Sequence, residues 1–157
     1  MRYLAAFLTL VVVVGSAPLL AQMETPPPLP GNVQIVPPGP AVSPRLAAFS
    51  GVWEGVWTQQ TLGQKRYVNP AYGGRMVTIA IERIEPPNVV AVYAWGSYGG
   101  RKKGFRRLKG TISGETILLT LGQEDTAQVT LKLTGDPRRL HASRVGRVTL
   151  LADLRKR

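Results

Sequence analysis

Ala127-Gln128-Val129-Thr130-Leu131-Lys132-Leu133-Thr134 alternates apolar and polar residues without a break. Successive side chains of a strand point to opposite faces, so Ala127, Val129, Leu131 and Leu133 share one face and a polar row takes the other. The same period of two runs outward in both directions. Towards the C-terminus, 147–155 alternates Val148, Leu150, Ala152 and Leu154 with Arg147, Thr149, Leu151 and Asp153. Similar stretches lie at 51–58, 75–84, 89–95, 104–112, 116–121 and 139–145. Between them stand Pro86-Pro87-Asn88, Ser113-Gly114, Gly135-Asp136-Pro137 and Gly146, residues that suit turns and do not extend a ladder.

Eight strands with tight connections predict an antiparallel meander. Closure into an eight-stranded up-and-down barrel removes the exposed edges, and a two-sheet sandwich is the structural rival. The fold class expected is therefore all-β. Only Ser43–Phe49 suggests a short helical turn. The barrel domain is expected over 46–157.

Two segments precede it. Arg2, the apolar run Leu4–Val14 interrupted by Thr9, and the small residues before Gln22 make 1–21 read as a secretory signal peptide cleaved after Ala21. Its apolar core falls short of the roughly 17–25 residues that span a bilayer, so no transmembrane span is expected after cleavage. Residues 22–45 hold eight prolines, which exclude helix and central strand, and read as a disordered, semi-rigid linker. The expected location is periplasmic or secreted.

The chain of 157 residues carries 20 Lys+Arg against 9 Asp+Glu, a formal charge of +11, and +10 once Arg2 is removed with the signal. Such an excess suggests nucleic acid, but export redirects it to anionic lipid, lipopolysaccharide, acidic glycan or a small anion. The absence of cysteine excludes disulfides, a thiol nucleophile and thiolate metal sites. One histidine leaves little for a zinc site or a Ser-His triad.

The first strand reads Phe49-Ser50-Gly51-Val52-Trp53-Glu54-Gly55-Val56-Trp57, and a middle strand reads Val92-Tyr93-Ala94-Trp95-Gly96. Gly-x-Trp opening an eight-stranded barrel resembles the calycins, the lipocalin and avidin group, and small exported bacterial proteins with lipocalin-like barrels. The resemblance covers about 49–157. It implies structural roles for Gly51, Trp53, Trp57 and Trp95, and a basic residue of the last strand, Arg155, packed over Trp53 in a cation–π contact. The paired cysteines of many lipocalins are missing, and no avidin-like ligand contacts carry over.

Meander topology gathers the connections 59–74, 96–103, 122–126 and 146 at one end. Lys65, Arg66, Arg75, Arg101, Lys102, Lys103, Arg144 and Arg147 lie there, against Glu124 and Asp125. That end is predicted to be a basic mouth, with 59–74 as its longest loop. Tyr72-Gly73-Gly74-Arg75 recurs as Tyr98-Gly99-Gly100-Arg101, so two Tyr–Arg tips could meet there, or the match is chance. Arg106 shares the parity of Leu108; it points into the lumen near the mouth, or snorkels outwards as part of a solvated run. The candidate ligand-binding residues are Tyr72, Arg75, Tyr98, Arg101, Lys102, Lys103 and Arg106.

Nucleophile-elbow, zinc-protease and phosphate-loop motifs are absent, Glu54 and Glu82 take outward parity, and His141 reads as a surface residue. No enzyme, cofactor or metal is expected. The leading reading is an exported, non-catalytic binding protein holding a small anionic or amphiphilic ligand in a barrel with a basic mouth. The alternative is an envelope-interaction protein whose basic surface docks on lipopolysaccharide, acidic glycan or a protein partner.

Overall fold

The computed structural model describes residues 26–59, 75–97, 102–122, 127–146 and 148–157. Its strands are β1 (Gly51–Gln59), β2 (Arg75–Glu85), β3 (Asn88–Trp95), β4 (Gly104–Ser113), β5 (Thr116–Thr120), β6 (Gln128–Leu133), β7 (Arg139–Val145) and β8 (Leu150–Lys156). Each pairs antiparallel with the next, and β8 returns to β1, Trp53 opposite Lys156 and Gln59 opposite Leu150. The sheet is a closed barrel, not a sandwich.

Alternation decides what enters the lumen. Trp53 and Trp57 of β1, Val77, Ile79 and Ile81 of β2, Leu119 of β5, Leu131 of β6 and Leu154 of β8 are buried in one core. An eight-stranded barrel has room inside for little more than side chains. Here large ones fill the end opposite the predicted mouth. A short helix, α1 (Pro44–Ala47), seals that end: Ser43 caps it by accepting from Leu46 N at 3.3 Å, and Pro44 occupies its first turn. Phe49 follows it into the core, and its carbonyl accepts from Trp53 Nε1 at 2.8 Å.

The last strand corrects one expectation. Arg155 is exposed, opposite Glu54 and Arg139 in the ladder. Lys156 shares the parity of Leu154 and turns inwards, its Nζ 5.2 Å from the Trp53 ring centroid and 3.0 Å from the Ala48 carbonyl that accepts from it. Gly51 makes room: a Cβ there would lie 2.9 Å from Lys156 Cε. Partial burial lowers the Lys156 ammonium below the usual lysine value.

The proline-rich segment also departs from expectation. Residues 26–42 form a strap along the outside of the barrel instead of a disordered tether. Pro27 is buried, and its carbonyl accepts from Thr78 Oγ1 at 3.0 Å. Between Ile81 and Arg83 a bulge breaks the β2–β3 register, and Glu82 serves the strap. Its carbonyl accepts from Val36 N at 2.8 Å, and its Oε1 from Gln34 N at 3.3 Å. Arg107 clamps the same carboxylate through Nε at 2.8 Å and Nη2 at 3.1 Å, and Nη2 also reaches the Asn32 carbonyl at 3.2 Å. The bond to Glu82 raises Arg107 above the usual arginine value. Glu82 does take outward parity, yet it is buried. Proline excludes ladder pairing but not packing, so its seven prolines leave this segment able to cover a sheet face.

Candidate functional site: a basic cavity at the barrel mouth

The end away from α1 is less filled by the described residues. A cavity of about 260 Å³ lies there, lined by Arg75, Tyr93, Trp95, Lys102, Arg106, Leu121 and Arg144. Each strand that contributes does so through inward parity. Tyr93 and Trp95 continue the inward row of Val89 and Ala91 on β3. Arg106 lies one inward step above Leu108 and opposite Tyr93 in the ladder. Arg144 is one inward step above Ala142 on β7.

Trp95 is the wall of the site. Its ring lies against the backbone of β4, because the residue opposite is Gly104. A Cβ on Gly104 would fall 2.7 Å from Trp95 Cζ2. The indole Nε1 donates to the Lys102 carbonyl at 3.2 Å, which ties the ring to the β3–β4 connection. Arg75 Cζ is 6.0 Å from the ring centroid, at the outer limit of a cation–π contact. Tyr93 packs at 5.9 Å between centroids with a 34° tilt, and its hydroxyl accepts from Trp57 Nε1 at 3.0 Å. An aromatic floor therefore connects the cavity to the packed core.

Arg106 supplies a fixed cation. Its Nη1 donates to the Leu121 carbonyl at 2.7 Å. Gly122, at φ +116, lets the backbone turn beside that guanidinium, 3.1 Å from where a Cβ would stand. Four cationic side chains thus border one small space, and no carboxylate lines it among the described residues. Gathering like charges in a semi-enclosed site raises the local positive potential, which favours an anion entering it.

Of the seven candidate ligand-binding residues, Arg75, Lys102 and Arg106 come together around the cavity. Lys103 stands exposed beside them on the rim. Tyr72, Tyr98 and Arg101, and with them the repeated Tyr-Gly-Gly-Arg tips, lie outside the described residues, as do Glu124 and Asp125. Trp95, expected to be structural, borders the cavity, while Trp53 and Trp57 lie in the core below it. Sequence reasoning left Tyr93 and Leu121 out of the site, and placed Arg144 at the basic end without counting it among the ligand-binding residues. For Arg144 the signal was present: it shares parity with Leu140 and Ala142, both buried. His141 is on the outer surface, with Nδ1 2.6 Å from Asp153 Oδ1. Among the described residues no three His, Asp or Glu side chains are grouped to hold a metal ion.

These features define a class: a closed eight-stranded antiparallel barrel, packed at one end and with four basic side chains around a cavity at the other. Solved structures similar to it include the redesigned β-barrel b11L5F_LGL, at TM-score 0.51 and 14% identity over 72% of this chain and 95% of that one. The redesigned β-barrel mFAP1, bound to DFHBI, aligns at TM-score 0.50 and 15% identity over 73% of this chain and 100% of that one. The siderocalin Ex-FABP aligns at TM-score 0.46 and 19% identity over 70% of this chain and 74% of that one. At these identities the likeness is one of fold. No family model matches the chain, and no curated protein does.

Proposed function

We propose that the chain is an exported, non-catalytic binding protein that holds a small anionic ligand at the mouth of its barrel. The observation that carries this is the cavity itself, where Arg75, Lys102, Arg106 and Arg144 face a common space floored by Tyr93 and Trp95. A barrel of this fold can hold a small molecule, as mFAP1 does with DFHBI, which supports the same reading here.

Size narrows the ligand. At about 260 Å³ the cavity lies just below the roughly 300 Å³ at which pockets for drug-sized molecules begin. Trp57 and the aliphatic side chains beneath it occupy the rest of the lumen. The fit is to a compact anion with one flat or short apolar part resting on Trp95, not to a long-chain lipid threaded down the barrel. The lining offers cations and aromatic rings, which supports binding of an anion with a flat part. The leader-like residues 1–21 support export.

Native mass spectrometry of the protein recovered from the envelope fraction tests the reading. The expected result is a small adduct retained by the wild type and lost in Arg106→Met. Repeated recovery of empty protein that also fails to take up 8-anilinonaphthalene-1-sulfonate would overturn it. The absence of residues 1–21 from the recovered chain is the matching test of export.

A further inference from the structure

The apolar residues of the outer barrel surface are not evenly left to solvent. On β2 and β3, Ala80, Val92 and Ala94 face outwards and are fully buried, on the side that the strap crosses. At the mouth the opposite holds. Phe105 is 52% exposed, Val145 54% and Val148 47%, and these are the exposed large hydrophobic residues of the barrel wall and its described loops. Phe105 is the second residue of β4, Val145 the last of β7, and Val148 lies in the β7–β8 connection. All three therefore sit at the end away from α1. The end sealed by α1 instead presents Glu85, Glu115 and Asp136 with Arg138 and Arg139.

Their spacing says what they fit. β4 and β7 are separated by two strands around the barrel, so Phe105 and Val145 stand on different sides of the mouth. A protein partner is gripped by a compact central cluster of anchors. Apolar side chains at two separate places, Phe105 on one side and Val145 with Val148 on the other, with the cavity between them, are met together by a plane. The cations share those places: Lys102 and Lys103 are exposed next to Phe105, and Arg144 precedes Val145. Apolar side chains entering the acyl boundary, flanked by Lys and Arg at headgroup level, are the combination that binds an anionic bilayer surface.

We infer that the mouth rim is a membrane-docking surface, and that the barrel stands on an anionic phospholipid bilayer with its cavity facing the headgroups. This goes beyond the ligand reading. Docking uses the rim and needs nothing bound in the cavity, so either can fail without the other.

The chain has no cysteine, which allows a single environment-sensitive label to be placed at will. The full chain would carry a nitrobenzoxadiazole label at Val148→Cys, at Phe105→Cys as a second rim position, or at Arg138→Cys on the sealed end. On addition of phosphatidylglycerol vesicles both rim labels should brighten and shift to shorter wavelength, while the Arg138→Cys label stays as in buffer. Phosphatidylcholine vesicles should give a much smaller response. Each basic side chain near such a surface is worth enough that Lys102→Glu with Lys103→Glu should weaken partitioning at least about 30-fold. Silent rim labels, an equal response at both ends, or equal binding to phosphatidylcholine would each overturn the proposal. Strong capture of soluble acidic glycan with silent rim labels on vesicles would assign the rim to a different partner.

Discussion

Gly104→Ala tests whether Trp95 is held in place by the absence of a side chain opposite. The new Cβ would lie 2.7 Å from Trp95 Cζ2, 3.1 Å from Cε2 and 3.4 Å from Cη2, so the ring must shift by about 1 Å to reach ordinary contact. The ring has somewhere to go, because Trp95 is half-buried and borders the cavity. Overpacking of this kind costs about 1–3 kcal/mol, and a ring that can yield into open space places the cost near the lower end. Replacing glycine within a strand returns roughly 0.5–1 kcal/mol of backbone entropy. The net loss of stability should therefore be small, between zero and about 0.5 kcal/mol, or at most a few degrees in Tm. The effect on the site should be larger. Moving the indole breaks its hydrogen bond to the Lys102 carbonyl and fills part of the cavity. Urea unfolding, near-ultraviolet circular dichroism and binding of 8-anilinonaphthalene-1-sulfonate should be compared with Gly135→Ala, where nothing lies within 4 Å of the added Cβ. The expected result is a changed tryptophan dichroism and at least tenfold weaker dye binding in Gly104→Ala, with Gly135→Ala behaving as wild type. An unchanged dichroism band together with wild-type affinity would refute the reasoning.

Three other outcomes follow from the fold. Lys156→Ala uncovers Trp53 and removes the bond to Ala48, so it should lower stability by about 1–2 kcal/mol, whereas Arg155→Ala should stay within about 0.5 kcal/mol; equal urea midpoints would return the contact to Arg155. Burial lowers Lys156 in the folded state, so between that lowered value and the ordinary lysine value the unfolded chain binds more protons. Stability should then rise with pH across that window and be flat below it. Lys156→Met should remove that rise, and parallel pH curves for the two proteins would count against it. Glu82→Ala removes the acceptor of Gln34 and the partner of Arg107 at once, so limited proteolysis within 26–42 should speed up while the barrel core stays resistant; wild-type cleavage rates would show that the strap is held by something else.

The barrel was legible because its signals are local. Period-two stretches such as 127–134 and turn residues such as Ser113-Gly114 place the strands nearly where they lie, and meander connectivity with closure follows from short connections. Strand order also brings Arg75, Lys102 and Arg106 to one end, where they line the cavity. Side-chain parity held more than the expectation took from it: Arg144 shares the row of Leu140 and Ala142, and Lys156, not the expected Arg155, shares that of Leu154 and covers Trp53. The strap was not legible. Its docking depends on a bulge at Glu82 and on backbone carbonyls at Pro27 and Asn32, none of which leaves a pattern in composition. The division of the lumen into a packed part and a cavity was likewise hidden, because it depends on how three tryptophans and Tyr93 share volume, not on which residues face in.

The most direct test of the mouth as a binding site is calorimetric titration of the full chain with 8-anilinonaphthalene-1-sulfonate, an aromatic anion. It should be run on the wild type, on Arg106→Met and on Arg144→Met. A hydrogen bond to a charged group is worth about 1.5–3 kcal/mol, so each substitution should weaken a one-to-one complex at least about tenfold with folding intact. A wild type that takes up no dye, or two methionine variants that bind as it does, would contradict the account.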